Sequence, residues 1–167
     1  MNPMRKISLE KITINMGAGE AGPRLEKSQK ILAKIAGKKV VVTKTHKRST
    51  FGGGKNRPIG VMTTLRGEPA RQLLERMLQA IEGRLKKSCF DRNGNFSFGI
   101  KEYIHIPGMK YDPEVGILGM DVAVTLTRPG YRVKERRIRP ASIGSRHRIT
   151  AEEAREWVGK EFKIKIE

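Results

Sequence analysis

Alternation of apolar and polar positions runs through most of the chain. Within residues 5–16, Ile12, Ile14 and Met16 point one way and Lys11, Thr13 and Asn15 the other. A period of two with β-branched residues predicts a half-buried strand. The run Gly17-Ala18-Gly19-Glu20-Ala21-Gly22 breaks it. Pro23 then suits a first helical position, where its missing N–H costs nothing. Leu25, Ile31, Leu32 and Ile35 make one face of a helix that Gly37 ends. A short apolar run, Val40 to Val42, predicts a second strand. Ile59 to Arg66 predicts a third, with Ile59, Val61 and Leu65 opposed to Gly60, Met62, Thr64 and Arg66. Gly67-Glu68-Pro69 opens the most periodic helix, carrying Ala70, Leu73, Leu74, Met77, Leu78, Ile81 and Leu85 at i, i+3, i+4, i+7 spacing.

The remaining half repeats these signals. Asp91-Arg92-Asn93-Gly94-Asn95 is a turn whose Asn-Gly pair predicts a hairpin, and Phe96, Phe98 and Ile100 alternate behind it. Pro107, Gly108, Pro113, Gly116 and Gly119 make residues 107–119 an irregular loop. Met120, Val122, Val124 and Leu126 form the clearest strand, ended by Arg128-Pro129-Gly130. Thr150 and Glu153 have the spacing of a capping box. The helix they start runs through Ala154, Trp157 (read as core) and Val158 to a stop at Gly159, and Phe162, Ile164 and Ile166 alternate as a last strand. Helices and strands intermix, and the strands are polar on one face. That pattern predicts one α+β domain over residues 1–167, with two layers: a largely antiparallel sheet, helices on one face, the other side open. The open face would show Thr13, Asn15, Thr64, Thr125 and their basic neighbours.

Charge changes the picture of that open side. The 167 residues hold 35 Lys and Arg against 17 Asp and Glu, a net +18. Self-repulsion on that scale opposes compaction, and a polyanionic partner explains it. An anionic membrane is the rival, but no basic amphipathic helix appears and aromatics are only 5% of the chain. No apolar run could span a bilayer and no signal-peptide core is present, so a soluble intracellular protein is expected. The lone Cys89 excludes an internal disulfide framework and reads as a buried thiol.

Two acid-poor stretches concentrate the cations. Residues 38–57 hold Lys38, Lys39, Lys44, Lys47, Arg48, Lys55 and Arg57 with no Asp or Glu, and Phe51 sits beside Gly52, Gly53 and Gly54. They read as a cationic arm held out by two strands and tipped by one aromatic. Residues 128–148 hold Arg128, Arg132, Lys134, Arg136, Arg137, Arg139, Arg146 and Arg148 against Glu135 alone. Lacking apolar periodicity, they read as a solvated or RNA-ordered loop. Two such runs favour phosphate-backbone binding. Without a helix-turn-helix, zinc finger or zipper, structured RNA is a better partner than specific DNA.

Signals for catalysis are weaker. Gly17 to Gly22 matches G-x-G-x-x-G between a strand and a helix, which raises the alternative of a nucleotide-binding enzyme. Against it, Pro23 fixes the helix start after the third glycine, and the next strand ends Val42-Thr43-Lys44 with no acid for a ribose. A turn whose backbone approaches a phosphate and a plain strand–helix connection both remain open. Gly52-Gly53-Gly54-Lys55 is not a phosphate loop, because Asn56 stands where Ser or Thr would hold Mg²⁺. His46, His105 and His147 lack carboxylate or cysteine neighbours at ligand spacing. His46 and His147 lie in basic runs, where RNA contact or exposure fits. The reading is no enzyme, no cofactor and no metal.

Five ordered motifs then identify a family. Residues 12–21 (ITINMGAGEA), 36–44 (AGKKVVVTK), 58–67 (PIGVMTTLRG), 96–102 (FSFGIKE) and 119–121 (GMD) resemble large-subunit ribosomal protein five, the universal 5S-rRNA-binding family. Segment 128–148 and the chain's ending resemble the archaeal and eukaryotic branch. The resemblance implies a curved antiparallel sheet and a role in anchoring 5S rRNA in the central protuberance of the cytoplasmic ribosome. It implies further partners: 23S-type rRNA, P-site tRNA, small-subunit protein thirteen and neighbouring large-subunit proteins. Carried over by motif, the 5S rRNA contacts fall on Asn15, on Lys38 (where bacterial members tend to have Gln) and on Thr64. Lys11, Thr13, Lys39 and Arg66 accompany them. The tRNA-facing loop would present Lys44, Lys47, Arg48, Phe51, Gly53, Lys55 and Arg57, and Arg132, Arg136, Arg137, Arg139, Arg146 and Arg148 are expected as other RNA contacts.

Overall fold

The structure is a computed structural model that describes residues 2–19, 21–46, 48, 54–113 and 116–167. Its centre is the alternating strand β1 (Ser8–Gly17), which buries Ile12, Ile14 and Met16. β2 (Val41–Lys44), β3 (Pro58–Leu65), β5 (Phe96–Ile100) and β6 (Met120–Thr127) join it in a five-stranded sheet of order β2-β3-β1-β6-β5, with every neighbouring pair antiparallel. Register shifts fall between Leu9 and Lys11 in the β1–β6 ladder and between Thr43 and Lys44 in the β2–β3 ladder. Irregularities of this kind bend a strand and increase its twist.

Two helices cover one face. α1 (Pro23–Ala36) starts at its proline, ends at Gly37 in the left-handed region, and packs Leu25, Ile31, Leu32 and Ile35 toward β1 and β3. α2 (Glu68–Ala80) packs Ala70, Leu73, Leu74, Met77 and Leu78 inward, also against β1. Each such leucine, isoleucine or methionine taken from water contributes about 1.5–3 kcal/mol, so this shared apolar layer fixes which face of the sheet is covered.

Several details differ from the pattern in the sequence. α2 stops at Ala80, because Glu82 (φ 57°) and Gly83 (φ 65°) turn the chain. Leu85 is buried nonetheless, in β4 (Arg84–Leu85), which pairs in parallel with β7 (Lys165–Ile166). α4 (Ala151–Phe162) has the full capping box, Thr150 with Glu153, but runs through Gly159 to end before Lys163. Phe162 is therefore helical, edge-on to a half-buried Trp157 at 5.7 Å. Ile59 is exposed at the start of β3, and Thr63 is buried instead. Cys89 is half-buried at the edge of the core rather than within it. The turn at 91–95 closes only one bridge, Phe90 to Phe96, and β5 finds its ladder with β6.

Segment 128–148 is built, not an open loop. It contains the short helix α3 (Arg132–Glu135) and a 3-10 turn over Ser145–His147, and it buries Arg128 and Tyr131.

Candidate nucleic-acid interface

The uncovered face of the sheet is organised by register. Thr13 lies opposite Thr64 on one side and Ala123 on the other, and the two threonine hydroxyls are 3.4 Å apart. Asn15 lies between Met62 and Asp121, and Lys11 lies opposite Thr125. Opposite residues in an antiparallel pair share a face, so Thr13, Thr64, Asn15 and Lys11 form one polar strip. Asn15 is exposed and the other three are half-buried. Lys38 and Lys39 are exposed where the left-handed Gly37 turns the chain from α1 toward β2, and Arg66 is exposed where β3 gives way to α2. Hydroxyls and an amide thus occupy the strip, and cations stand at its rim.

Sequence reasoning missed Val41 on this face and did not show which residues stand beside Asn15. Val41 is exposed and opposes Met62, so an apolar pair adjoins Asn15. Asp121, opposite both Asn15 and Gly99, puts an exposed carboxylate on the same row. Alternation within β6 placed Asp121 outward, but only cross-strand register sets it beside Asn15. At one edge the strands crowd: a Cβ on Gly60 would sit 2.9 Å from the Met16 carbonyl oxygen and 3.0 Å from the Thr43 hydroxyl. That contact requires glycine where β3 leaves the arm.

The Gly17–Gly22 turn is a strand–helix connection. The N–H groups of Ala18 and Gly19 both donate to the Ile59 carbonyl, at 2.8 and 3.0 Å, and are thereby spent. β2 lies outside β3 rather than beside β1, in an antiparallel sheet. The dinucleotide fingerprint needs a parallel βαβ unit there, so that reading falls.

Thr45 closes the base of the arm. Its N–H donates to the Arg57 carbonyl (2.9 Å), its carbonyl accepts from the Asn56 N–H (3.0 Å), and its hydroxyl donates to the Gly54 carbonyl (2.9 Å) and accepts from the Arg57 N–H (3.1 Å). Lys44, His46, Arg48, Lys55 and Arg57 are exposed. Lys47, Phe51 and Gly53 lie outside the described residues.

The second cationic segment is held by side chains. Arg128, with a side chain 4% exposed, pairs with Glu153 at 2.9 Å and donates to the carbonyls of His147 and Arg148 at 3.4 and 3.3 Å. The Tyr131 hydroxyl accepts from the buried Ile149 N–H at 2.8 Å. The His147 ring lies edge-on to Tyr131, with Nε2 2.9 Å from the Pro129 carbonyl oxygen. Arg128 and His147 are thus anchors, not free contacts as their basic surroundings suggested. Arg132, Arg136, Arg137, Arg139, Arg146 and Arg148 are all exposed. Burial pushes the Glu153 carboxyl up, but hydrogen bonds from Arg128 and the Thr150 N–H, the Arg128 charge and the Thr150 hydroxyl outweigh it and hold that carboxyl below its ordinary range. Among the described residues, no helix is long and apolar enough to cross a membrane.

The geometry defines an α+β protein with a polar, cation-rimmed open sheet. Its relatives make the class specific. Residues 2–50 match the family described as Ribosomal protein L5, and residues 58–160 match the C-terminus of the same ribosomal protein family. The chain is similar to the large ribosomal subunit protein uL5 of Sulfurisphaera tokodaii, 51% identical over 99% of this chain and 95% of that one. It is also 49% identical to the uL5 of Sulfolobus acidocaldarius, over 99% and 93% of the two chains. With the uL5 of Methanosphaera stadtmanae the identity is 45% over the full length of both. The chain belongs to the ribosomal protein uL5 family, a family of structural rather than catalytic proteins. These archaeal relatives agree with the archaeal and eukaryotic affinity expected from segment 128–148 and the chain's ending.

Proposed function

We propose that the protein, as a component of the large subunit of the cytoplasmic ribosome, binds 5S rRNA on the open sheet face and attaches it in the central protuberance. One observation carries the reading: a sheet face that no helix covers among the described residues, with the paired Thr13 and Thr64 hydroxyls and Asn15 at its centre and Lys38, Lys39, Lys11 and Arg66 around it. Hydroxyls and amides suit the 2′-OH groups and base edges of a shallow RNA minor groove. The rim cations suit its phosphates. The arm that continues β2 and β3 is the element for P-site tRNA. 23S-type rRNA, small-subunit protein thirteen and neighbouring large-subunit proteins complete the set of partners.

The test is 5S rRNA affinity as a function of salt, measured by filter binding. Affinity should fall steeply, with Lys38→Ala lowering the slope by about one counterion and Asn15→Ala or Thr64→Ala weakening binding without changing the slope. A flat salt dependence overturns the reading. Deleting residues 49–56 should spare 5S rRNA binding and weaken P-site tRNA retention; loss of 5S rRNA binding in that deletion would contradict the division of labour.

A further inference from the structure

Positive charge is spread unevenly over the chain. Residues 68–82 and 151–167, which hold α2, α4 and β7, contain eight acids against six Lys and Arg, in a chain where Lys and Arg outnumber acids 35 to 17. The two helices meet, because Arg71 of α2 pairs with Glu161 of α4. Their junction is concave. A cavity of about 470 Å³ has Leu78, Phe162 and Ile164 in its walls, with the exposed Glu75, Glu82 and Glu161 beside them. A second cavity of about 340 Å³ shares Glu161 and Phe162 with the first and adds Trp157.

The larger cavity suits a cation beside an apolar group. Arg71 is counter-ion to both Glu75, at 3.7 Å, and Glu161, so one positive charge serves two carboxylates. Glu82 lies 4.0 Å from Arg84, and both side chains are mostly exposed; such a pair contributes little. Among the cavity walls, the three carboxylates face a single cation, the exposed Lys163. α2 ends at Ala80 and α4 at Phe162, and the residues just before and after both ends line the cavity. The C-terminal end of a helix favours positive charge. Phosphates would be repelled by the same groups. Phe162, Ile164 and Trp157 are only half-buried, so apolar surface remains for a partner to cover. Apolar anchors within a charged rim are how protein interfaces concentrate their binding energy.

We propose that the concave junction of α2 and α4 is a protein-docking site. Its occupant is a segment of a neighbouring large-subunit protein that sets one large apolar side chain, flanked by lysine or arginine, into the cavity. This is the part of the molecule whose charge calls for no polyanion. The inference rests on the neighbouring-protein part of the reading above, to which it gives a surface and a chemistry, and does not depend on the open sheet face.

The test uses large subunits assembled with the full chain carrying photo-reactive benzoylphenylalanine in place of Gln79, an exposed wall residue of the cavity. After irradiation, mass spectrometry should find Gln79's replacement joined to a peptide of another subunit protein, with Lys or Arg next to an apolar residue. Glu75→Lys with Glu82→Lys should lower the yield per incorporated chain about tenfold, because opposite charge becomes like charge. A link to rRNA alone, to a second copy of this chain or to a segment without Lys or Arg overturns the proposal. So does the absence of any link, or a yield unchanged by the charge reversal. A lysine-reactive crosslinker applied to the same subunits separates this surface from the reading it rests on. Protein links elsewhere on the chain, with none at position 79, sink this surface alone; no protein link anywhere sinks the neighbouring-protein partners as well.

Discussion

Two basic stretches of similar composition are secured by different means. The arm between β2 and β3 is closed at its base by Thr45, whose backbone and hydroxyl make four hydrogen bonds to Gly54, Asn56 and Arg57, residues at the far side of the same loop. Segment 128–148 is held instead by Arg128 and Tyr131, which reach the backbone around Ile149 and the acidic first turn of α4. The first arrangement is local and only partly buried. The second is buried and joins the segment to the core. Charge density alone does not distinguish them, because what decides is the acid and the aromatic that hold the segment, Glu153 and Tyr131, and neither adds to the positive count.

The sharpest way to break that contrast is Glu153→Ala. It leaves the Arg128 guanidinium buried without its carboxylate and should cost about 3 kcal/mol in urea denaturation. Limited trypsin digestion should then open segment 128–148 first. Arg128→Met should cost less, about 2 kcal/mol, because Glu153, with its side chain 39% exposed, regains water. The reverse order would show that the pair does not pin the segment. Gly94→Ala comes next. Gly94 has φ +76°, and a Cβ there would lie 2.5 Å from Ile149 Cγ2, so about 2 kcal/mol should be lost. Tyr131→Phe orphans the buried Ile149 N–H and should cost about 1–2 kcal/mol. On the other side of the comparison, Thr45→Val should cost only about 0.5–1 kcal/mol and leave trypsin sensitivity of segment 128–148 unchanged.

Acid gives the mildest probe. The Glu153 carboxyl is held below its ordinary range in the fold. A depressed carboxyl contributes stability that is fully present above its unfolded value, about 4.3, and is lost as pH falls through the folded one. Thermal stability should therefore drop on acidification below that point, and the Glu153→Gln protein should show less of the drop. An identical acid profile in both proteins would remove Glu153 from the account.

Much of the fold was legible because its signals are local. Alternation in β1, β5 and β6 needs only the pleat of one strand. Pro23, Gly37 and the Thr150–Glu153 capping box act within one helical turn, and all three stand where the sequence placed them. The misplaced boundaries are also instructive. Leu85 sits at helical spacing from Ile81 yet belongs to a strand, because burial is shared between neighbouring elements and spacing does not say which one supplies it. Gly159 does not stop α4: its helical cost of about 1 kcal/mol is outweighed once Val158 and Phe162 pack on either side of it. Of the candidate interface, Thr13, Asn15 and Thr64 were readable as polar strand positions. Their union was not, since Thr13 and Thr64 are 51 residues apart and meet only through the β1–β3 register.

By itself, then, the sequence determined where strands alternate, where helices start, which face of each is apolar and how strongly the whole chain seeks a polyanion, because each of these depends on neighbours within a few residues or on a simple sum of charge. The tertiary structure alone decided which cations are free. Arg128 and Arg148 are the same residue type in the same basic run. One is buried against Glu153 and the carbonyls of His147 and Arg148, the other stands at the mouth of a cavity. Only the docking of segment 128–148 onto α4 separates them, since burial of a charge depends on what the rest of the chain brings to it.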